Sequence, residues 1–192
     1  MGSIIDDDYK VHMAGVVQEG FVLDPPGYER LSMWTYMLMH LVNARTNFEW
    51  VRDHPVELDD MENALRQQAF LIAGVMAYCR CYASSGAMIP TLDAKQVYAG
   101  SADGQDVHSR LIKLRNTVAA HTDASDVVRL TLAVKEEPDR VVVRHLWTMA
   151  VPIDEIADFL EAVECTDHFV TVSLNKYIGH LEKSTGKNIE LD

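Results

Sequence analysis

From Pro152 to Leu181 apolar side chains recur every three or four positions, at Ile153, Ile156, Leu160, Val163, Val170, Leu174, Tyr177 and Leu181, with Asp167 the one charged member of the row. That spacing puts them on one side of an α-helix of about eight turns, roughly 45 Å long. Pro152 suits the opening turn, Asp154 and Glu155 suit its positive end, and Gly186 is the latest stop. A helix this long cannot bury its apolar side against itself, so the rest of the chain must supply matching surfaces.

Three further segments have the right period. Between Tyr28 and Arg52, Leu31, Trp34, Leu38, Leu41, Arg45 and Phe48 form a stripe interrupted by one charge, and Asp53-His54-Pro55 stops it. From Glu57-Leu58-Asp59-Asp60, Met61, Leu65, Gln68, Ile72, Val75, Cys79 and Tyr82 repeat the pattern. Between Ala69 and Ala83 the remaining positions are apolar too, which predicts a helix buried on all sides. Arg80 is the exception there: it either snorkels or pairs with an acid, or it faces a phosphate as a substrate-binding group. Residues 86 to 104 read as a surface connection with one helical turn. Val107, Leu111, Leu114 and Val118 mark the next helix.

The period then changes. Two β-rich runs, Val127 to Val134 and Arg140 to Trp147, flank Glu136-Glu137-Pro138-Asp139 and predict a hairpin over about 126–149. A lone hairpin is barely stable, so it must lie on the helical body or meet a partner. Residues 1 to 27, with Asp6-Asp7-Asp8, Gly15, Gly20 and Asp24-Pro25-Pro26-Gly27, read as a loosely ordered N-terminal arm ending in a turn. The expected fold is therefore mainly α: a single domain over 28–192, an antiparallel four-helix bundle with the hairpin inserted before the last long helix.

Composition narrows the function classes. With 192 residues, 48% apolar and 24% charged, the chain is that of a globular protein, and no apolar run is long enough to span a bilayer. The start Met1-Gly2-Ser3-Ile4-Ile5-Asp6 lacks the build of a signal peptide, so a cytoplasmic location is expected. Cys79, Cys81 and Cys165 are an odd count for a disulfide framework and read as reduced thiols. A net charge of −12 repels polyanions, so any RNA site must be local or depend on a partner.

One stretch gathers a guanidinium, an amide and an imidazole within an apolar helical pattern: Leu114-Arg115-Asn116-Thr117-Val118-Ala119-Ala120-His121-Thr122-Asp123. An arginine, a polar residue directly after it and a histidine six positions on resemble the signature of the HEPN superfamily. The phrase is similar to that of many uncharacterised bacterial members and some phage-abortive proteins. The resemblance implies a small helical bundle that pairs as a homodimer, with Arg115, Asn116 and His121 of both copies forming a metal-independent RNA-cleaving site. It also implies a toxin or phage-defence role, with an antitoxin or other protein as a further partner, and no cofactor. A subset of the family carries a tyrosine two residues after the histidine as a target for adenylylation; Asp123 stands there in this chain.

The residue types fit that chemistry. RNA carries its own nucleophile, the 2′-hydroxyl, so cleavage needs a proton acceptor or donor and a group that holds the phosphate. His121 titrates near neutrality and suits the first task; Arg115, fork-shaped and permanently charged, suits the second. Asn116 is suited to orient the phosphate or fix the imidazole tautomer. On an ideal helix Arg115 and His121 fall about 120° apart, on opposite flanks of the buried stripe. They converge only if the helix loosens after Ala119-Ala120 or a second copy brings its own histidine. Ile112, Asn116, Ala119 and Ala120 leave a face small enough for a second helix to approach, which favours symmetric pairing.

Two readings stay open. In the alternative, the chain is a non-catalytic helical dimerisation or interaction module, and Arg115 and His121 cap carbonyls or pair with Asp123 and Asp126. No metal site is expected: His108 and His121, thirteen residues apart, stand about 20 Å from each other along one helix. His40, His54, His145, His168 and His180 read as surface or packing residues, and Trp34, Trp50 and Trp147 as core or interface aromatics.

Overall fold

The computed structural model describes residues 4–56, 60–83, 91–120, 128–149 and 151–191. The protein is mainly helical, with one small antiparallel hairpin. Helix α1 spans Ile4–Gln18, α2 Glu29–Asp53, α3 Met61–Arg80, the one-turn α4 Ala94–Val97 and α5 Ala102–Ala120. Strands β1 (Val128–Glu136) and β2 (Val141–Met149) follow, then a 3-10 turn over Ile153–Glu155 that leads into α6, Ile156–Thr185.

The ends of these helices follow from local chemistry. Asp60 caps α3 by accepting the Asn63 backbone N–H at 2.9 Å. The backbone leaves helical geometry at His54, the residue before Pro55, as α2 stops. Gly186 ends α6 in the left-handed region at φ 67°, its N–H reaching the Glu182 carbonyl at 2.8 Å.

Helix α2 packs along α3 and α6, and α5 packs on α3 and α6 in turn. The Arg30 guanidinium lies 5.8 Å from the Tyr177 ring, Arg45 reaches Asp167 at 3.4 Å, and the rings of Phe48 and Phe159 are 5.7 Å apart. Rising positions on α2 therefore meet falling positions on α6. The charges that interrupt the α2 and α6 stripes, Arg45 and Asp167, are thus each other's partners. The core gathers Leu41, Phe48 and Val51 with Leu71, Val75, Leu111, Phe159 and Val163. Phe48 of α2 lies so near Gly74 of α3 that a Cβ there would stand 2.6 Å from its Cε1.

Three expectations need correction. Residues 4–18 of the arm are helical: the acids and Gly15 do not break a helix, because one glycine costs only about 1 kcal/mol. Most described side chains of α1 are exposed, so no core-facing stripe marks it in the sequence. Helix α3 is not buried on all sides, since Ala69, Ala73 and Arg80 face solvent. The connection ahead of α5 does more than cross the surface: Leu92 and Tyr98 enter the core.

The hairpin forms where its sequence predicts. Its strands pair from Val128↔Met149 to Glu136↔Val141, and Glu137 and Arg140 close the loop by backbone bonds in both directions. Among the described residues neither strand packs extensively on a helix.

Candidate functional site

Residues 114–120 of the sequence motif lie on the last turns of α5. Val107 and Leu111 of that helix enter the core, and the Leu111 carbonyl accepts a weak bond from the Cys79 thiol of α3 at 3.7 Å. Arg110 bonds Asp158 at 3.0 Å and also Glu155, while Tyr98 reaches back to the Ala162 carbonyl. Along the chain from Tyr98 to Arg110 the contacts thus move from Ala162 back to Asp158 and Glu155.

Arg115 and Asn116 are brought together. Arg115 Nε and Nη2 both donate to Asn116 Oδ1, at 3.2 and 2.9 Å. The arginine is half-buried and the asparagine exposed. Arg115 also stands at the seam with α3: burial pushes the Cys79 thiol up to about 11, and the Arg115 charge pulls it the other way. Among the described residues no carboxylate pairs with Arg115. His121, Asp123 and Asp126 lie outside the described residues, and so does the convergence expected of Arg115 and His121.

Arg80 is exposed in the last turn of α3. Burial first and the Arg80 charge second lower the pKa of His40 on α2. His54 stacks on Trp50, and its Nδ1 meets the Trp50 carbonyl at 2.8 Å, a packing role.

Sequence reasoning missed a polar network inside the core. The Tyr78 hydroxyl meets the Tyr98 hydroxyl at 2.7 Å and His108 Nδ1 at 2.9 Å. Tyr98 donates to the Ala162 carbonyl at 2.9 Å and meets the Thr166 hydroxyl at 3.0 Å, while Tyr82 meets Thr166 at 2.8 Å. The rings of Tyr78, Tyr82 and Tyr98 surround the His108 imidazole. Burial raises all three phenols above their ordinary pKa and lowers His108. The network is therefore neutral, and it joins α3, α5 and α6. Its sequence signal was Thr166, a hydroxyl three positions from Val163 and four from Val170 in a buried row, which must find a partner.

A groove of about 800 Å³ runs between α5 and α6, past Tyr98, Asp103, Asp106, Arg110, Lys113 and Glu161. Its acids outnumber its cations, and Arg110 is already held by two of them when Asp158 and Glu155 are counted. It is a poor seat for a phosphate. Among the described residues no cluster of histidine, cysteine and acid residues could hold a metal, and no helix is long and apolar enough to cross a membrane. No protein-family model, curated protein or solved structure matches the chain.

Proposed function

We propose that the protein is a metal-independent endoribonuclease of toxin or phage-defence type, acting as a homodimer through Arg115, Asn116 and His121. In this reading α2, α3, α5 and α6 form an antiparallel, HEPN-like four-helix bundle, which the opposed order of contacts between α2 and α6 supports. The observation that carries the function is the Arg115–Asn116 fork: a half-buried guanidinium held by an amide, with no carboxylate partner among the described residues. Fixing a guanidinium by an amide instead of an acid keeps its full charge for a phosphate.

Within that reading His121 takes the 2′-hydroxyl proton of the RNA while the oxygen attacks the adjacent phosphorus, and the bond to the 5′-oxygen breaks. The leaving oxygen takes a proton from the second copy's histidine or from water. Arg115 holds the charge that gathers on phosphorus, and Asn116 keeps the guanidinium aimed. The test is cleavage of total RNA and tRNA in chelator by wild type, Arg115→Ala and His121→Ala at matched dimer content. Cutting that survives chelator and is lost in both variants supports the site. Equal background in all three with the dimer intact refutes it.

A second reading, a non-catalytic interaction module, is favoured by the hairpin, whose apolar side chains Leu132, Val134, Val141 and Val143 are exposed. It predicts that the same two substitutions leave binding to a partner unchanged.

A further inference from the structure

The polar network inside the core has a direction, and that direction is set at one end. The Ala162 carbonyl can only accept, and it takes the Tyr98 hydroxyl at 2.9 Å and the Thr166 hydroxyl at 2.8 Å. Thr166 stands four residues after Ala162 on α6, so its bond is the return of a helical hydroxyl to the preceding turn. A hydroxyl has one proton to give. With those two protons spent, Tyr82, 2.8 Å from Thr166, must give its own proton to Thr166. Tyr78, 2.7 Å from Tyr98, must likewise give its proton to Tyr98. The approach of Tyr98 to Thr166 at 3.0 Å leaves this order unchanged, because a proton shared there is one of the same two and still points away from Tyr78.

Tyr78 then has nothing left to donate to His108 Nδ1, 2.9 Å away, so the imidazole nitrogen is the donor. Burial raises the pKa of all three phenols, so each keeps the proton that this order needs. The reverse order, with Tyr98 donating to Tyr78 and Tyr78 to Nδ1, takes the Tyr98 proton from the Ala162 carbonyl and makes one bond fewer over the same distances.

We propose that this chain of hydrogen bonds locks His108 in its Nδ1–H tautomer and makes Nε2 the proton-accepting atom at the donor end of the network. Which nitrogen of a neutral histidine carries the proton is set by the bond the other atoms impose on it, and here the setting comes from a carbonyl on α6, three bonds away. A proton taken up by His108 goes to Nε2 and breaks none of these bonds, because Nδ1 already carries the hydrogen it donates. His108 therefore changes charge while α3, α5 and α6 stay joined. The groups that face the imidazole are Tyr78 and Tyr82 of α3 and Tyr98, which follows α4. From α6 comes Thr166, which does not titrate. On α5 itself the positions three and four away, Gly104, Gln105, Leu111 and Ile112, carry no charge. Burial is the cause that moves the His108 pKa, with no charged group contributing among the described residues. The site shares no residue with the proposed nuclease centre, so its test does not bear on RNA cleavage.

That test is long-range proton–nitrogen NMR of the full-length, isotope-labelled protein, with His108→Gln identifying the signals of the ring. At pH 8 Nδ1 should resonate as a protonated, pyrrole-type nitrogen and Nε2 as a bare, pyridine-type one. The Nδ1–H form should exceed the other by at least about fivefold, the ratio that one lost hydrogen bond implies. As the pH falls to 5 the large shift should belong to Nε2, with Nδ1 moving little. Tyr98→Phe leaves the Tyr78 hydroxyl beside His108 but removes the acceptor that draws its proton away. Tyr78 is then free to donate to Nδ1, and the ring should move toward the Nε2–H form, with circular dichroism checking that the helices persist. A pyridine-type Nδ1 in the wild type, comparable amounts of the two forms, a large acid shift at Nδ1, or a folded Tyr98→Phe with the wild-type tautomer overturns the proposal. Should Tyr98→Phe fail to fold, the wild-type spectra decide alone.

Discussion

Replacing Tyr78 by Phe removes one oxygen from the centre of the core and leaves its ring in place. That oxygen makes two bonds, to the Tyr98 hydroxyl at 2.7 Å and to His108 Nδ1 at 2.9 Å. A hydrogen bond inside a protein contributes about 1 kcal/mol net, and a buried group left without its partner costs about 1–3 kcal/mol. Tyr98 keeps the Ala162 carbonyl and the Thr166 hydroxyl, and half-buried His108 is close enough to the surface to reach water. The full penalty is thus avoided, and the expected loss is about 2 kcal/mol, which lowers Tm by roughly 4–8 °C in a domain of this size. Urea unfolding of Tyr78→Phe, Tyr98→Phe and the double variant measures it. The double variant should be less destabilised than the sum of the singles by about 1 kcal/mol, because both remove the same bond. Tyr78→Phe within 0.5 kcal/mol of wild type, or an additive pair, would show that the network does not hold α3 to α5 and α6.

Four other outcomes follow. Gly74→Ala gains about 1 kcal/mol of helix propensity but drives a methyl into fully buried Phe48, so thermal unfolding should show net destabilisation of about 1–2 kcal/mol; a more stable variant would mean that Phe48 can move aside. Burial lowers the His108 pKa from its ordinary 6.5, so the unfolded chain takes up the proton first and stability falls as pH drops below about 6.5. His108→Gln should flatten that slope in urea midpoints between pH 6.5 and 5, leaving the share due to His40, and an unchanged slope would contradict it. Cys79 and Cys81 are buried, with thiols pushed up to about 11 and about 12, so a thiol reagent at pH 8 should titrate exposed Cys165 alone in the native protein and all three cysteines once unfolded. Arg110→Ala breaks two half-exposed ion pairs and should cost no more than about 1 kcal/mol, a difference that 0.5 M salt should shrink.

The helices were legible in the sequence where they bury one side. Stripes of aliphatic and aromatic residues identified α2, α3, α5 and α6, and Asp60, Pro152 and Gly186 fixed ends within a few residues. Helix α1 was hidden because it rests on little of the core and carries no stripe. Buried Tyr98 was hidden for a different reason: it reaches the core from a short connection, where no period announces which side chain turns inward. The paired interruptions Arg45 and Asp167 show that a charge within an apolar row can mark a crossing between helices. At the candidate site the adjacency of Arg115 and Asn116 was legible because neighbours in sequence remain neighbours in space. The effect of the Arg80 charge on His40 was not, since it depends on which side of α3 meets α2.

The proposed chemistry is tested most directly by the ends of the cut RNA. An attack by the 2′-hydroxyl leaves a 2′,3′-cyclic phosphate and a 5′-hydroxyl, and it cannot occur at a 2′-deoxy position. A defined oligoribonucleotide incubated in chelator with the wild-type protein, and analysed by mass spectrometry, should yield those two ends. The same oligonucleotide with 2′-deoxy substitution at the cut site should stay intact, as should the original with Arg115→Ala or His121→Ala. Products bearing 5′-phosphates, cutting at the deoxy position, or full activity in either variant would contradict the assignment of Arg115 and His121 to the cleavage step.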